Sequence, residues 1–298
     1  MLEGYSCGLS VVIMADADQR KQKQRLHLQG TLIVFLGVLW LTPDSLLIKL
    51  VESDGGWETL FWRHVFYFAT MTAGLLAHAA WSTPQAAGES TSCCCQLPRA
   101  ARIWMGQIKA TGRFGAVWVA VQVPGNLGFI IGQSHTTAAN VLIVVSTTPL
   151  WSALFSRVFL REPVPLRTVI AIAGAMAAIV ALFWGELAVS SDELTGLLLA
   201  LMCAVSLAIN FTLLRRAAVV VPDALFPALF PLQSLVCGGI ALAFGAQPGS
   251  VLPGDMKWLA LQGCCVVPLS FIALTVGPKY ISAAEVSLFL LLETVLGP

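Results

Sequence analysis

Long apolar runs, separated by short polar stretches, follow one another along most of the chain. An α-helix rises about 1.5 Å per residue, so a run of about 20 residues can cross the hydrocarbon core of a bilayer. Strands of a membrane barrel need only about half that length, so the runs favour helices over a barrel. The pattern predicts an all-α, polytopic membrane protein with nine spanning helices at residues 30–50, 60–80, 114–131, 136–156, 168–184, 194–214, 224–244, 258–276 and 282–298.

Two longer segments lie outside this pattern. Residues 1–29 carry a basic cluster after a short apolar stretch, which is the reverse of a signal peptide, so we interpret them as a tail. Residues 81–113 replace the apolar pattern with Pro, Ser, Cys, Arg and Gly, and we expect an aqueous loop there.

Composition and missing motifs narrow the function. Only 11% of the residues are charged, against about 25% in soluble domains. The net charge of the chain is +1, whereas nucleic-acid binders typically carry a strongly basic surface. Nucleic acid is therefore excluded as a partner. The sequence has no Gly-rich phosphate loop with its Lys and no His-Glu-x-x-His or Cys-x-x-Cys motif. We therefore expect no enzyme, no cofactor and no metal site.

Basic residues predict the orientation, because Lys and Arg accumulate in cytoplasmic loops. With the N-terminus inside, nine spans place 14 of the 17 Lys and Arg residues on the inner side and leave Lys49, Arg63 and Lys257 outside. The chain is therefore expected to have a cytoplasmic N-terminus.

A weak internal repeat links the two halves. Residues 132–140 (GQSHTTAAN) align without gaps with residues 277–285 (GPKYISAAE), at an offset of 145, and a proline precedes each segment, Pro124 and Pro268. The predicted topology puts the first segment outside and the second inside. Two inverted halves of this kind are typical of secondary transporters, so we expect a carrier.

Several short motifs resemble the EamA-type drug/metabolite transporters. They are Phe61-Trp62-Arg63, TAAN at 137–140 with PLW at 149–151, LREP at 160–163, and ISAAE at 281–285 with LETVLGP at 292–298. The resemblance covers about residue 30 to the end, and it implies a ten-helix carrier of small metabolites built from two inverted five-helix repeats. It also implies that Arg63 pairs with an intramembrane carboxylate such as Asp44.

The resemblance implies a first repeat at residues 30–184, containing the loop 81–113, and a second at 194–298. The sequence ends part-way along the ninth helix, without a tenth. We therefore expect a fragment whose second repeat lacks its final helix.

Charged groups inside a span are rare and mark candidate functional sites. Asp44 follows Pro43, which can kink the first helix; a local cap or a water-filled kink is the structural alternative. A helix rise of about 1.5 Å per residue, counted from residues 30 and 282, places Asp44 roughly 21 Å and Glu293 roughly 17 Å from the inner surface. Both could therefore share one cavity. Burial disfavours a charged carboxylate, so at least one is expected to bind and release a proton. A hydrogen bond to a neighbouring helix is the structural alternative for Glu293.

Further candidates for substrate or coupling-ion contacts have ordinary explanations as well. Arg63 could simply reach the outer interface within an aromatic belt, and Glu285 is shallow enough to be solvated. Asn126 and Asn140 could make interhelical hydrogen bonds. Further candidate helix kinks lie at Pro124, Pro149 and Pro268.

Two hypotheses remain from the sequence. The first is a secondary carrier for a small molecule by alternating access, with the lipid bilayer and a coupling proton as further partners. The ninth helix has no Lys or Arg, which argues against phosphorylated anions and leaves cationic, zwitterionic or neutral amino-acid-like substrates. The second is a membrane scaffold that does not transport.

Overall fold

The computed structural model describes residues 3–51, 55–82, 93–161, 163–164, 166–182, 191–217 and 227–296. Within them, all regular structure is helical. The α-helices are α1 (Glu3–Leu41), α2 (Pro43–Lys49), α3 (Gly56–Ser82), α4 (Cys93–His135), α5 (Ala138–Val145), α6 (Thr148–Phe155), α7 (Leu166–Leu182), α8 (Ser191–Ala217), α9 (Leu229–Ala243), α10 (Met256–Leu261), α11 (Val267–Val276), α12 (Ala283–Phe289) and α13 (Leu291–Leu296). Two π-helical segments, Ser156–Leu160 and Gln262–Val266, and a 3-10 turn at Gly277–Lys279 join some of them.

The chain is a multi-pass helical membrane protein. Five described stretches are long and apolar enough to cross a membrane by length and composition: Gln22–Lys49, Trp104–His135, Ala138–Leu160, Ser191–Ala217 and Met256–Lys279. Large apolar side chains lie on the outside, with exposed fractions of 62% for Leu36, 60% for Phe159 and 73% for Leu166. Lipid covers such a surface favourably, whereas water does not.

The other predicted spans correspond to helices that are not among those five stretches. They are 60–80 (α3), 168–184 (α7), 224–244 (α9) and 282–298 (α12 and α13). Residues 183–184, 224–226 and 297–298 of these spans, and Glu162 of the LREP motif, lie outside the described residues. The count of nine spans therefore remains a prediction.

Three of the four candidate kink prolines directly follow a break in the α-helix or a π-helical segment. Pro43 and Pro149 lie in the first turns of α2 and α6, after breaks that end α1 and α5, and Pro268 lies in the first turn of α11, after a π-helical segment. The first turn tolerates proline because its N–H groups have no intrahelical acceptor. Helix α4, in contrast, continues through Pro124, and its one residue with non-helical backbone angles is Gly112 (φ 53°, ψ −134°).

Of the segment 81–113, predicted to be an aqueous loop, the described residues from Cys93 onward are helical up to Gly112, whose non-helical backbone separates them from the rest of α4. The aqueous location stays a prediction. Trp104 in this helix donates a hydrogen bond from Nε1 to the Ala228 carbonyl oxygen at 2.8 Å. Residues 99–109 are rich in Arg, Ala, Met, Gln and Lys, all good helix formers. A scan for apolar runs detects membrane spans and overlooks polar helices of this kind.

Packing brings the two ends of the chain together. Helix α4 packs against α8, α1 against α11, and α3 against α9. Where α4 meets α8, a Cβ atom on Gly132 would lie 3.3 Å from the Gly196 carbonyl oxygen. Small residues let membrane helices approach this closely. The N-terminal helices α1 to α3 thus surround one interior together with the C-terminal helices.

Candidate functional site

The structure pairs Asp44 with Arg63 inside the helix bundle. Asp44 lies in the first turn of α2, directly after the break that ends α1. Arg63 lies in α3, and its Nη2 donates a hydrogen bond to Asp44 Oδ2 at 3.0 Å. The side chains are only 3% exposed for Arg63 and 2% for Asp44. The alternative in which Arg63 merely reaches the outer interface therefore does not describe this structure.

The ion pair uses only part of the hydrogen-bonding capacity of its two partners. Asp44 Oδ1 and the Nε and Nη1 atoms of Arg63 are buried without a hydrogen-bond partner among the described residues. Leaving a buried polar group unpaired costs about 1–3 kcal/mol, and more when the group is charged. The pair therefore leaves two donor atoms of Arg63 and one acceptor atom of Asp44 available to a bound molecule.

Glu293 is the second buried carboxylate of this region. It lies in α13, just after the break at Leu290 between α12 and α13, and is 5% exposed. Its Oε1 atom is buried without a hydrogen-bond partner among the described residues. The break brings the Glu293 side chain to the same interior as the ion pair.

Asp44, Arg63 and Glu293 line one cavity. Water-molecule centres can occupy about 50 Å³ of it, and one water needs about 10–15 Å³ by this measure. The cavity therefore holds a few waters or the polar end of a small solute. Its other lining residues are mostly apolar and come from both halves of the chain: Leu41, Gln122, Gly125, Asn126, Phe129, Val145, Cys203, Leu207, Phe271, Leu274 and Leu290.

Two neutral amides of α4 join the charged groups at the cavity. Asn126 is 8% exposed and donates from Nδ2 to the Gln122 carbonyl oxygen at 2.9 Å. Gln122 is 2% exposed, and its Nε2 has no hydrogen-bond partner among the described residues. The sequence predicted Asn126 and overlooked Gln122. Their spacing of four residues, which puts both on one helix face, is the signal that could have found Gln122.

Asn140 and Glu285 do not line the cavity; both lie in the first turn of a helix. The Asn140 backbone N–H donates to Thr137 Oγ1 at 3.2 Å, at the start of α5. Glu285 forms a capping box with Ser282 at the start of α12, where its Oε2 accepts from the Ser282 backbone N–H at 2.9 Å. The Thr137 and Glu285 side chains thereby satisfy N–H groups at a helix N-terminus, whereas the Asn140 side chain donates from Nδ2 to Thr136 Oγ1 at 3.0 Å. The role of Asn140 and Glu285 as substrate or coupling-ion contacts remains a prediction without support from this geometry.

Comparison with known proteins adds a family to this geometry. Residues 101–184 match the model of the EamA-like transporter family. The resemblance predicted from short motifs is confirmed for this segment. The EamA-like segment contributes Gln122, Gly125, Asn126, Phe129 and Val145 to the cavity, whereas the three charged residues lie outside the segment.

One solved structure, described as "Crystal structure of protein", is similar to this chain with a TM-score of 0.62. The two chains share 19% sequence identity, and the similarity covers 90% of this chain and 87% of the other. At that identity the similarity shows a shared fold and nothing about function. No curated protein gives a significant match to this chain.

Proposed function

We propose that this protein is a secondary transporter that moves a small polar solute across a membrane by alternating access. The observation that carries the proposal is the cavity with a buried Asp44–Arg63 ion pair and a buried Glu293, inside a bundle whose outer surface is apolar. Ionisable groups at membrane depth are costly and mark substrate and ion pathways. The EamA-like segment supports the same function, because that family consists of transporters.

The proposed topology has nine spans, a cytoplasmic N-terminus and two inverted repeats: a first of five helices at 30–184 and a second with four helices at 194–298. Matched helix caps support the repeat. Thr137 and Ser282, 145 positions apart, both have extended backbone angles and accept a hydrogen bond from the backbone N–H three residues later. The packing of α4 on α8 and of α11 on α1 supports it too, because these would be equivalent helix pairs.

The proposed substrate is small and amino-acid-like. Arg63 offers unpaired N–H groups that suit a carboxylate, while Asp44 Oδ1 and Glu293 Oε1 can accept from an ammonium group. Such a site favours a zwitterion, and a cationic or neutral amino-acid-like solute could use part of it. Two carboxyl groups, those of Asp44 and Glu293, face the cavity beside the single cation Arg63, which disfavours a phosphorylated anion.

A proton is the proposed coupling ion. Two carboxylates that face one cavity repel each other when both are charged, and burial adds to the cost of the second charge. Binding and release of a proton by one of them would therefore change how the site holds a cationic group. Glu293 is the better candidate, because Asp44 already has the Arg63 guanidinium as a partner.

Uptake by reconstituted proteoliposomes tests the proposal. With an inward proton gradient, we expect radiolabelled alanine or lysine to accumulate above the level in empty liposomes, and glucose 6-phosphate to stay at that level. Asp44→Asn should lose most of the uptake. The control is Asp192→Asn, the same chemical change at a carboxylate whose side chain is 81% exposed. The proposal is wrong if neither amino acid accumulates, or if both variants transport equally.

A further inference from the structure

A π-helical segment, Gln262–Val266, interrupts the helix between α10 and α11; we refer to it as the π segment. The Val267 backbone N–H donates to the Gln262 carbonyl oxygen, five residues back, which is the π-helical bond. Gln262 is 1% exposed, so a polar amide is buried at the start of this segment. Single-turn π-helices inside α-helices occur often at functional sites.

The Gln262 amide reaches the element that carries the ion pair. Its Nε2 donates to the main-chain carbonyl oxygen of Asp44 at 3.1 Å. The Asp44 side chain meanwhile accepts from Arg63. Asp44 is thus held at its main chain by the C-terminal half of the protein and at its carboxylate by α3.

Two further contacts fix the π segment on the same elements. The Trp40 Nε1 atom, near the end of α1, donates to the Cys265 carbonyl oxygen at 3.2 Å. A Cβ atom on Gly263 would lie 2.6 Å from the Arg63 carbonyl oxygen, so the two backbones touch there. The π segment therefore contacts the end of α1, the start of α2 and the Arg63 turn of α3.

We propose that Gln262 is a positioning residue, whose hydrogen bond to the Asp44 carbonyl oxygen sets the geometry of the Asp44–Arg63 ion pair at the cavity. The α1–α2 break leaves Asp44 on a helix of only seven residues, and so short a helix is not held in place by its own hydrogen bonds. The Gln262 bond supplies an external fixed point. Movement of the C-terminal half is thereby transmitted to the carboxylate.

The proposal rests on the proposed transport function only for its kinetic consequence; its structural part can be tested without substrate. Gln262→Met keeps the unbranched shape and removes the amide, and Gln262→Glu keeps the size and replaces the donor with an acceptor. The matched control is Gln233→Met. Gln233 lies in α9, is 0% exposed, and its amide atoms have no hydrogen-bond partner among the described residues.

The first experiment measures the coupling between Asp44 and Arg63 in detergent. A double-mutant cycle compares the unfolding midpoints of four proteins: the unmodified one, Asp44→Asn, Arg63→Gln and the double variant. The coupling is the difference between the effect of the double variant and the sum of the two single effects. The cycle is measured in three backgrounds: wild type, Gln262→Met and Gln233→Met. We expect the coupling to fall by at least half in the Gln262→Met background and to be unchanged in the Gln233→Met background. An equal coupling in all three backgrounds would mean that Gln262 only packs, and would overturn the proposal.

The second experiment uses uptake of radiolabelled alanine by proteoliposomes. Loss of one hydrogen bond changes an equilibrium by about two- to tenfold, so both Gln262 variants should raise KM by that factor. We expect kcat to change less, and Gln233→Met to leave both constants unchanged. Changed coupling without uptake of alanine or lysine by the wild type would reject the proposed function and keep the positioning role. Unchanged KM in a transporting protein would reject the positioning role.

Discussion

Arg63 donates a 3.0 Å hydrogen bond to Asp44 across 19 positions of sequence, with both side chains withdrawn from the surface. A buried ion pair is favourable only when its geometry is good and its remaining hydrogen-bonding positions are filled. Here three of those positions lack a partner among the described residues. The pair is thus held together mainly by the cost of separating two desolvated charges, and a ligand that fills the open positions can compete with it.

The first prediction concerns the two halves of this pair. Arg63→Gln leaves the Asp44 carboxylate buried and uncompensated, which should lower the free energy of unfolding by about 3–5 kcal/mol. Asp44→Asn should cost a similar amount. The double variant should recover most of this loss, because neither member of the pair is then left as a buried charge without its partner, yet it should not transport. Chemical denaturation in detergent measures the stability, and proteoliposome uptake measures the transport.

The control for this prediction is Arg157→Gln, the same chemical change at an exposed arginine. Surface changes of this kind stay within about 0.5 kcal/mol. A double variant that is as unstable as the sum of the two single variants would show that Asp44 and Arg63 contribute independently.

The second prediction concerns Glu293. If its carboxylate binds and releases the coupling proton, Glu293→Gln should keep the shape of the site and remove the response of uptake to external pH. Asp44→Asn should reduce uptake at every pH, because it removes the carboxylate that we propose binds the substrate. Initial rates of alanine uptake are measured against pH for both variants. The range is roughly pH 5 to 8, in which proteins are most stable. Wild-type rates and pH profiles in both variants would rule out both roles.

The sequence predicts the charged part of the site because an ionisable residue inside an apolar run is conspicuous. Asp44 and Glu293 stand out for this reason, and the structure places both on one cavity. Asn140 and Glu285 stood out as well, although the structure pairs the Asn140 amide with Thr136 and uses Glu285 in a helix cap. Residue type alone cannot separate the two roles, because a cap and a binding site use the same hydrogen-bonding groups.

Neutral amides were the part of the site that hydropathy could not reveal. Gln122 and Gln262 change the mean hydropathy of an apolar run no more than a surface glutamine does. Whether such a glutamine reaches the cavity or the ion pair depends on which helices pack together. The π segment is invisible in the sequence for a related reason. It contacts Trp40 and the Arg63 turn, which lie more than 190 positions away in the sequence.

The third prediction concerns the backbone contact at Gly263. A Cβ atom there would lie 2.6 Å from both the Arg63 carbonyl oxygen and the Phe66 Cβ atom, closer than real Cβ contacts occur. Gly263→Ala must therefore push the π segment away from α3 and loosen the ion pair. We expect a loss of stability of about 1–3 kcal/mol, as for other overpacked positions.

Gly238→Ala is the matched control for this prediction, because a Cβ atom on this buried glycine of α9 would meet nothing within 4 Å. Alanine is the better helix former, so this variant should gain up to about 1 kcal/mol. Unfolding midpoints in one detergent compare the two. Equal effects at both positions would show that α3 and the π segment are not in the tight contact described.

The last prediction concerns orientation, which rests on the distribution of Lys and Arg between the two sides. With the N-terminus inside, single cysteines at Ser90 and Arg216 should be shielded from an impermeant thiol reagent in intact cells, and a cysteine at Ser190 should be labelled. The native cysteines are replaced first, and permeabilised cells show that all three sites can react. Labelling at position 90 in intact cells would reverse the orientation. It would also place the Arg63 end of α3 on the cytoplasmic side, so that the ion pair would face the opposite entrance of the pathway.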